Sequence, residues 1–312
     1  MTSVEPVGWP PGRVFLPVAG YDLAATLDGG QAFRWRRVGD AWEGVVQGRW
    51  VRLRAVPGGL EAQAGAGASD WEWLRHYLAL DEDWEAIRAT FPPDEPMQRA
   101  VAACPGLRLL RQDPWECLAS FICSSTKQVV QIQEMVALLS GRLGDPVAVP
   151  PGHRIEHAFP TPARVAGAGE AFLRGCKLGF RAPYLLGTAQ QVAGGRLDLE
   201  ALRQADLPSA REALMSLPGV GRKIADCVLL FGYGRQQAFP VDVWVERVLR
   251  RLYFPRARRL APRRLRHFSE THFGPWAGYA QQYLFHYARV HLGRGAERWS
   301  ADSPAHPPAS GA

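Results

Sequence analysis

From about residue 97 to 292, apolar residues recur at helical spacing, and proline and glycine break the pattern. A chain with such a run folds its larger part as packed helices. Earlier, from about 13 to 62, the pattern is strand-like. Short runs at Ala32–Trp35, Ala41–Val46 and Trp50–Ala55 are separated by Gly-Asp, Gly and Pro-Gly-Gly turns, which predicts an antiparallel sheet. Residues 71–90 take helical spacing and lead out of the sheet. The expected class is α+β, with a β-rich N-terminal domain and connecting helix over 1–96 and a mostly α domain over 97–299. Residues 300–312 read as a disordered tail. Asp113-Pro-Trp-Glu116 is a helix start, with an Asp cap and Pro at the first helical position, and 145–162 is a Pro-rich loop.

A length of 312 residues with 47% hydrophobic content fits two domains of about 150 residues each. No apolar run reaches the roughly 20 residues a bilayer requires, and the N-terminus lacks the charged and apolar regions of a secretory signal. Cys104, Cys117, Cys123, Cys176 and Cys227 form no C-x-x-C pair, so they read as reduced thiols rather than a disulfide framework or a zinc or iron–sulfur site. These features point to the cytoplasm. Thirty-seven basic against 30 acidic residues give a net charge of +7, which suits a polyanionic partner. The lysines are Lys127, Lys177 and Lys223, and in so arginine-rich a chain each of them is worth inspecting.

The most informative stretch is 209–253. Ser209-Ala-Arg-Glu212 reads as a capping box that opens a short helix, Leu217-Pro-Gly-Val-Gly221 as a tight turn, and Arg222 to Phe231 as a second helix. Amides exposed at that second N-terminus form an anion site that can grip a DNA backbone, although an ordinary helix-to-helix turn has the same residues. Lys223 lies in the first turn beside Arg222. The helix's positive end and the neighbouring cation disfavour a further charge there, and a neutral amine is a nucleophile able to form a Schiff base. A simple phosphate contact is the alternative. Asp242, in Phe-Pro-Val-Asp-Val, precedes Val245, Val248, Leu249 and Leu252 at helical spacing and so reads as an N-cap.

Lys223 in LPGVGRKIADC and Asp242 in PVDV, at this spacing, resemble the signature of the helix-hairpin-helix DNA glycosylase superfamily. Within it the chain most resembles the bifunctional 8-oxoguanine DNA glycosylase/AP lyases. Further blocks in the family's order carry that likeness: Gly30-Gln-Ala-Phe-Arg-Trp35, residues 107–125, Gly179-Phe-Arg-Ala-Pro-Tyr184 and Trp276 to Phe285. The likeness spans nearly the whole chain. It implies that the α part is a two-part glycosylase domain with its hairpin at 209–232, acting as a monomer on double-stranded DNA carrying 8-oxoguanine or abasic sites. A bacterial chain would work at the nucleoid and a eukaryotic one in the nucleus.

By the same resemblance, Lys223 attacks C1′ of the damaged nucleotide and Asp242 offsets positive charge on the sugar and helps deprotonate the amine. The base must leave the stack first. Cys227 and Phe285 match the positions that sandwich it, Gln281 the reader of its Watson–Crick edge, and Pro240 a pocket wall. Gly30 matches the carbonyl that accepts the N7 hydrogen of 8-oxoguanine. Gly219, Gly221 and Arg222 correspond to backbone contacts. No redox cofactor is implied, and the hairpin's backbone carbonyls are where relatives can hold a monovalent cation.

Departures from the pattern cluster where the opposite base is read. Eukaryotic relatives carry Asn-Asn-Asn where this chain has Thr126-Lys127-Gln128, and Gln131 replaces one of two arginines that contact the orphaned cytosine. Arg181 retains the other, Phe180 stands for a tyrosine wedge, and Trp244 replaces a histidine. Lys127 or Gln131 is left to fill the gap or meet the opposite base. Residues 247–266 hold nine arginines and no acid beside the catalytic segment, which favours phosphate contact. His267/His272 and His286/His291 point to different helix faces, so no metal site is expected. A monofunctional alkylated-base glycosylase, which uses water in place of the lysine, and a non-catalytic hairpin DNA-binding protein are the competing readings.

Overall fold

The computed structural model describes residues 12–65, 70–257 and 261–292. The expected tail at 300–312 lies outside them. The sheet has five strands, β1 (Arg13–Pro17), β2 (Arg36–Val38), β3 (Ala41–Val46), β4 (Arg49–Val56) and β5 (Gly59–Ala64). They run antiparallel in the order β1-β5-β4-β3-β2. Gln47 and Gly48 both take positive φ, 48° and 74°, the geometry that lets a two-residue turn join β3 to β4 without splaying them.

Among the described residues the helices are α1 (Leu23–Leu27), α2 (Glu72–Tyr77), α3 (Trp84–Ala89), α4 (Glu95–Ala103), α5 (Pro114–Cys123), α6 (Val129–Leu143) and α7 (Pro162–Ala168). Then come α8 (Glu170–Gly175), α9 (Ala182–Ala193), α10 (Leu207–Met215), α11 (Arg222–Phe231), α12 (Val243–Tyr253), α13 (Pro262–Thr271) and α14 (Ala277–His291). None is long and apolar enough to cross a membrane.

Two hydrophobic cores form, one under the sheet around Leu16, Trp35, Leu53 and Leu60, the other among the helices around Phe121, Val228, Tyr279 and Leu284. The segment expected as a strand at Ala32–Trp35 is instead a series of bends. Its side chains explain why: Phe33 packs edge-on against Phe121 of the helical core, ring centroids 5.4 Å apart, while Trp35 belongs to the sheet core and donates to Tyr77 Oη at 2.9 Å. Two side chains committed to two cores leave no room for a ladder, so pairing begins at Arg36.

Gln31 fixes the loop before those bends. Fully buried, it donates to the carbonyls of Thr26 (2.9 Å) and Arg108 (2.8 Å) and accepts from the Leu110 amide (2.8 Å). A buried amide group with those partners holds the Gly29–Gly30 turn against the helical part.

Helix α5 starts as expected, its cap Asp113 accepting from the Glu116 amide at 2.8 Å. Helix α10 does not. It begins at Leu207, capped by Asp206, whose Oδ1 accepts from the Ser209 amide at 2.9 Å. Pro208 occupies a first-turn position whose N–H has no helical partner in any case, so the helix extends ahead of Ser209.

Candidate active site

Helices α10 and α11 form the hairpin, joined by residues 216–221. Gly219 has φ +75°, and a Cβ there would lie 2.6 Å from that of Tyr184, so only glycine lets the turn pack against α9. Gly221 caps α11 without a side-chain hydrogen bond, and its Cβ would meet open space, so the α11 amides face an unobstructed approach. Arg222 is less available than the sequence suggests. Its guanidinium pairs with Glu270 at 2.5 Å and with buried Asp226 at 3.5 Å, and Arg211 holds Asp226 at 2.6 Å.

Lys223 points from the first turn of α11 toward the end of α5. Its Nζ donates to Ser124 Oγ at 3.0 Å and lies 5.1 Å from the centre of the Phe121 ring. The Ser124 hydroxyl in turn donates to the Phe121 carbonyl at 2.6 Å, which fixes the oxygen that receives the amine. Cys227, one helical turn beyond Lys223, is buried, and its thiol is pushed up to about 12, mainly by burial and against the pull of Lys223. It stays a neutral thiol.

Asp242 caps α12, with Oδ1 accepting from the amides of Val245 (2.8 Å) and Trp244 (3.0 Å). Burial pushes its carboxyl up, while the Val245 amide, the Lys223 charge, the Trp244 amide and Arg289 pull it down. The capping bonds fix a carboxylate within electrostatic reach of the lysine. Pro240 is buried just before it.

On α14, Gln281 is 4% exposed and its Oε1 has no hydrogen-bond partner. A buried carbonyl in that state is costly unless a ligand or a bound water supplies a donor. Four residues on, the Phe285 ring closes against Gly30, where a Cβ would come within 3.1 Å of Cε1. Gln282 braces the same turn by donating to the Gly29 carbonyl at 2.8 Å. Gly30 holds φ +76°, so Gly30→Ala adds about 1–2 kcal/mol of backbone strain and a methyl group against the ring. At least about a tenfold loss of base release is expected in single-turnover assays, with abasic-site nicking retained.

The residues expected to meet the opposite strand gather at the α5–α6 turn and the segment 179–181. Thr126, Lys127 and Gln131 are exposed, Thr126 at φ +57°, and Gln131 Oε1 accepts from the Gln128 amide as half of a capping box on α6. Phe180 is 52% exposed. Arg181 is buried beneath it, 4.2 Å from its ring, donating to Ser125 O and to Thr126 Oγ1 at 2.9 Å. Contact with an opposite base requires it to leave those partners.

Trp244 is half-buried, with the Arg247 guanidinium 4.9 Å from its ring. The described part of the basic run lines a groove of about 660 Å³ with Arg247, Arg250, Arg251 and Phe254; residues 258–260 lie outside the described residues. His272 bonds Asp94 at 2.7 Å, and no group of His, Cys, Asp and Glu able to hold a metal occurs among the described residues. Sequence reasoning missed Gln31, Ser124, Gln282 and Arg289. Gln31, Ser124 and Gln282 stand inside blocks that carry the family likeness, and Arg289 lies just beyond the last of them.

The family model for the 8-oxoguanine DNA glycosylase N-terminal domain matches residues 13–118, and that for the HhH-GPD superfamily of base excision DNA repair proteins matches 120–271. A probable N-glycosylase/DNA lyase of Methanothermobacter thermautotrophicus is 30% identical over 308 residues, covering 88% of this chain and 95% of its own. An N-glycosylase/DNA lyase of Arabidopsis thaliana is 32% identical, covering 84% of this chain and 76% of its own. Clostridium acetobutylicum 8-oxoguanine glycosylase/lyase, solved with DNA containing cytosine opposite 8-oxoguanine, superposes at TM-score 0.82 with 29% identity over 88% of this chain and 97% of its own. A 3-methyladenine DNA glycosylase from Archaeoglobus fulgidus, at TM-score 0.71 and 24% identity, shares the fold. The chain belongs to the 8-oxoguanine DNA glycosylase/lyase family of the helix-hairpin-helix superfamily.

Proposed function

We propose that this protein excises 8-oxoguanine from duplex DNA and nicks the resulting site, through a Schiff base on Lys223. The observation that carries the assignment is an amine held at the α11 N-terminus by Ser124, with the capping carboxylate of Asp242 in electrostatic reach. The neutral amine attacks C1′, the C1′–N9 bond breaks with its electron pair on the base, and Asp242 takes the amine's proton and offsets charge on the sugar. The protonated Schiff base then permits β-elimination of the 3′ phosphate. In the proposed pocket, Gly30 O accepts the N7 hydrogen that guanine lacks, Gln281 meets the Watson–Crick edge, and Cys227, Phe285 and Pro240 enclose the ring.

Lys223 weighs against a monofunctional alkylated-base enzyme, which has no use for a nucleophilic amine. The retained carboxylate and orphaned Gln281 Oε1 weigh against a passive DNA-binding module. Incubation with duplexes carrying one 8-oxoguanine or one 3-methyladenine separates these readings. Release of 8-oxoguanine with strand nicking is expected; release of 3-methyladenine without nicking, or no release at all, would contradict it.

The partner is damaged or abasic double-stranded DNA, bound by a monomer, in the cytoplasm at a bacterial nucleoid or in a nucleus if the source is eukaryotic. The steps above draw on no redox cofactor. A monovalent cation in the hairpin fits carbonyls such as Leu217 O and Pro218 O, which accept one hydrogen bond each, from the Val220 amide and the Thr188 hydroxyl, and keep a second lone pair. With Gln131 in the place of an arginine and Arg181 turned inward, discrimination among opposite bases is weak. Excision opposite cytosine should exceed that opposite the other bases by less than about tenfold in single-turnover rates; a larger preference would show that the 126–131 turn reads cytosine by another route.

A further inference from the structure

Phe285 belongs to a longer ridge. Gln281, Phe285 and Arg289 recur every four residues on α14, which sets them in one row spanning about 12 Å of helix. The far end of that row meets the loop at 28–30. Arg289 donates from Nη1 to the Asp28 carbonyl at 3.1 Å, and its guanidinium carbon lies 5.6 Å from the centre of the Phe285 ring. The same Nη1 is 3.5 Å from where a Cβ on Gly30 would stand. Arg289 also acts through space on Asp242, whose carboxyl it helps pull down, though less than the Val245 and Trp244 amides and Lys223 do. His286 beside it is held below the ordinary imidazole range, first by burial and then by Arg289. A half-buried guanidinium therefore stands beside both the glycine turn and the aromatic ring that closes on it.

We propose that Arg289 is a further residue of the base pocket and stabilises the departing purine; this rests on the assignment of Gly30, Gln281 and Phe285 to that pocket. When Lys223 forms its bond to C1′, the electron pair of the C1′–N9 bond leaves with the base. The amine's proton goes to Asp242 and from there to the base, so no oxidant or reductant enters. Until that proton arrives, the purine carries negative charge. A guanidinium already held in place offsets that charge without reorganising, and removing one such preorganised donor costs on the order of a hundredfold in rate. Its other N–H donors remain for the substrate, because the Asp28 carbonyl takes one of five.

Arg289→Met and Arg289→Lys test this with three readouts on the full chain. These are single-turnover release of 8-oxoguanine, nicking of a preformed abasic duplex, and affinity for a duplex whose 2′-fluoro 8-oxoguanosine resists cleavage. Arg289→Met should slow release about a hundredfold while nicking and affinity stay within about threefold, and Arg289→Lys should recover part of the rate because it keeps the charge. Equal falls in release and affinity would make Arg289 a mere prop of the Gly30 turn. Equal falls in release and nicking would place its effect on Asp242 or on the fold, and no fall would remove it from the reaction. Each of these overturns the assignment. Wild-type protein that nicks abasic DNA but releases no 8-oxoguanine would refute the lesion assignment itself, and the role of Arg289 with it.

Discussion

Lys223→Gln is expected to bind an 8-oxoguanine duplex about as tightly as wild type while losing base release and abasic nicking by on the order of 10⁴-fold or more. Binding survives because the substitution leaves in place the groups that would grip DNA, which are the backbone amides of α11, the Phe180 ring and the α12 groove. The fold survives because a glutamine amide still offers a donor toward Ser124 Oγ and leaves the Phe121 ring in place. Chemistry does not survive, because an amide cannot form a Schiff base. Fluorescence anisotropy and single-turnover gels on the same preparation check both halves. Residual nicking within about tenfold of wild type would mean that another amine serves as nucleophile.

Asp242→Asn has the second-largest expected effect, and it separates activity from stability. Asparagine keeps the Oδ1 that accepts from Val245 and Trp244, so α12 stays capped. It loses the charge that offsets the sugar cation, and base release should fall about 10²–10³-fold. Burial raises the carboxyl in the native state above its unfolded value near about 3.9. The folded protein therefore holds its proton to higher pH than the unfolded chain, and native stability falls as pH rises through that window. Asparagine has no such term. The thermal midpoint of Asp242→Asn should equal or exceed that of wild type at pH 7, and the difference in its favour should grow from about pH 4 upward. A variant destabilised at neutral pH would show that the carboxylate serves the fold rather than the reaction.

Local signals in the sequence carried far. The bounds of α11, the Asp113 and Asp242 caps and strand β3 were all legible, because proline, glycine and capping residues act within a few positions of themselves. The departures have a common cause in contacts between distant segments. Ala32–Trp35 alternates like a strand, but its two aromatic rings serve different cores. Arg222 reads as a free DNA contact until Glu270, 48 residues away, takes its guanidinium. Ser124 and Lys223 meet across 99 residues, and Arg289 and Asp28 across 261. No spacing rule relates such pairs, so their contribution to the site becomes visible only in the folded chain.

Borohydride trapping on a duplex with a single 8-oxoguanine tests the Schiff-base assignment most directly. The wild-type protein should yield a covalent protein–DNA adduct, and peptide mapping should place the linkage on the Lys223 side chain. An adduct mapped to Lys127, Lys177 or the α-amino group, or base release with no adduct at all, would contradict the mechanism built on the α11 lysine.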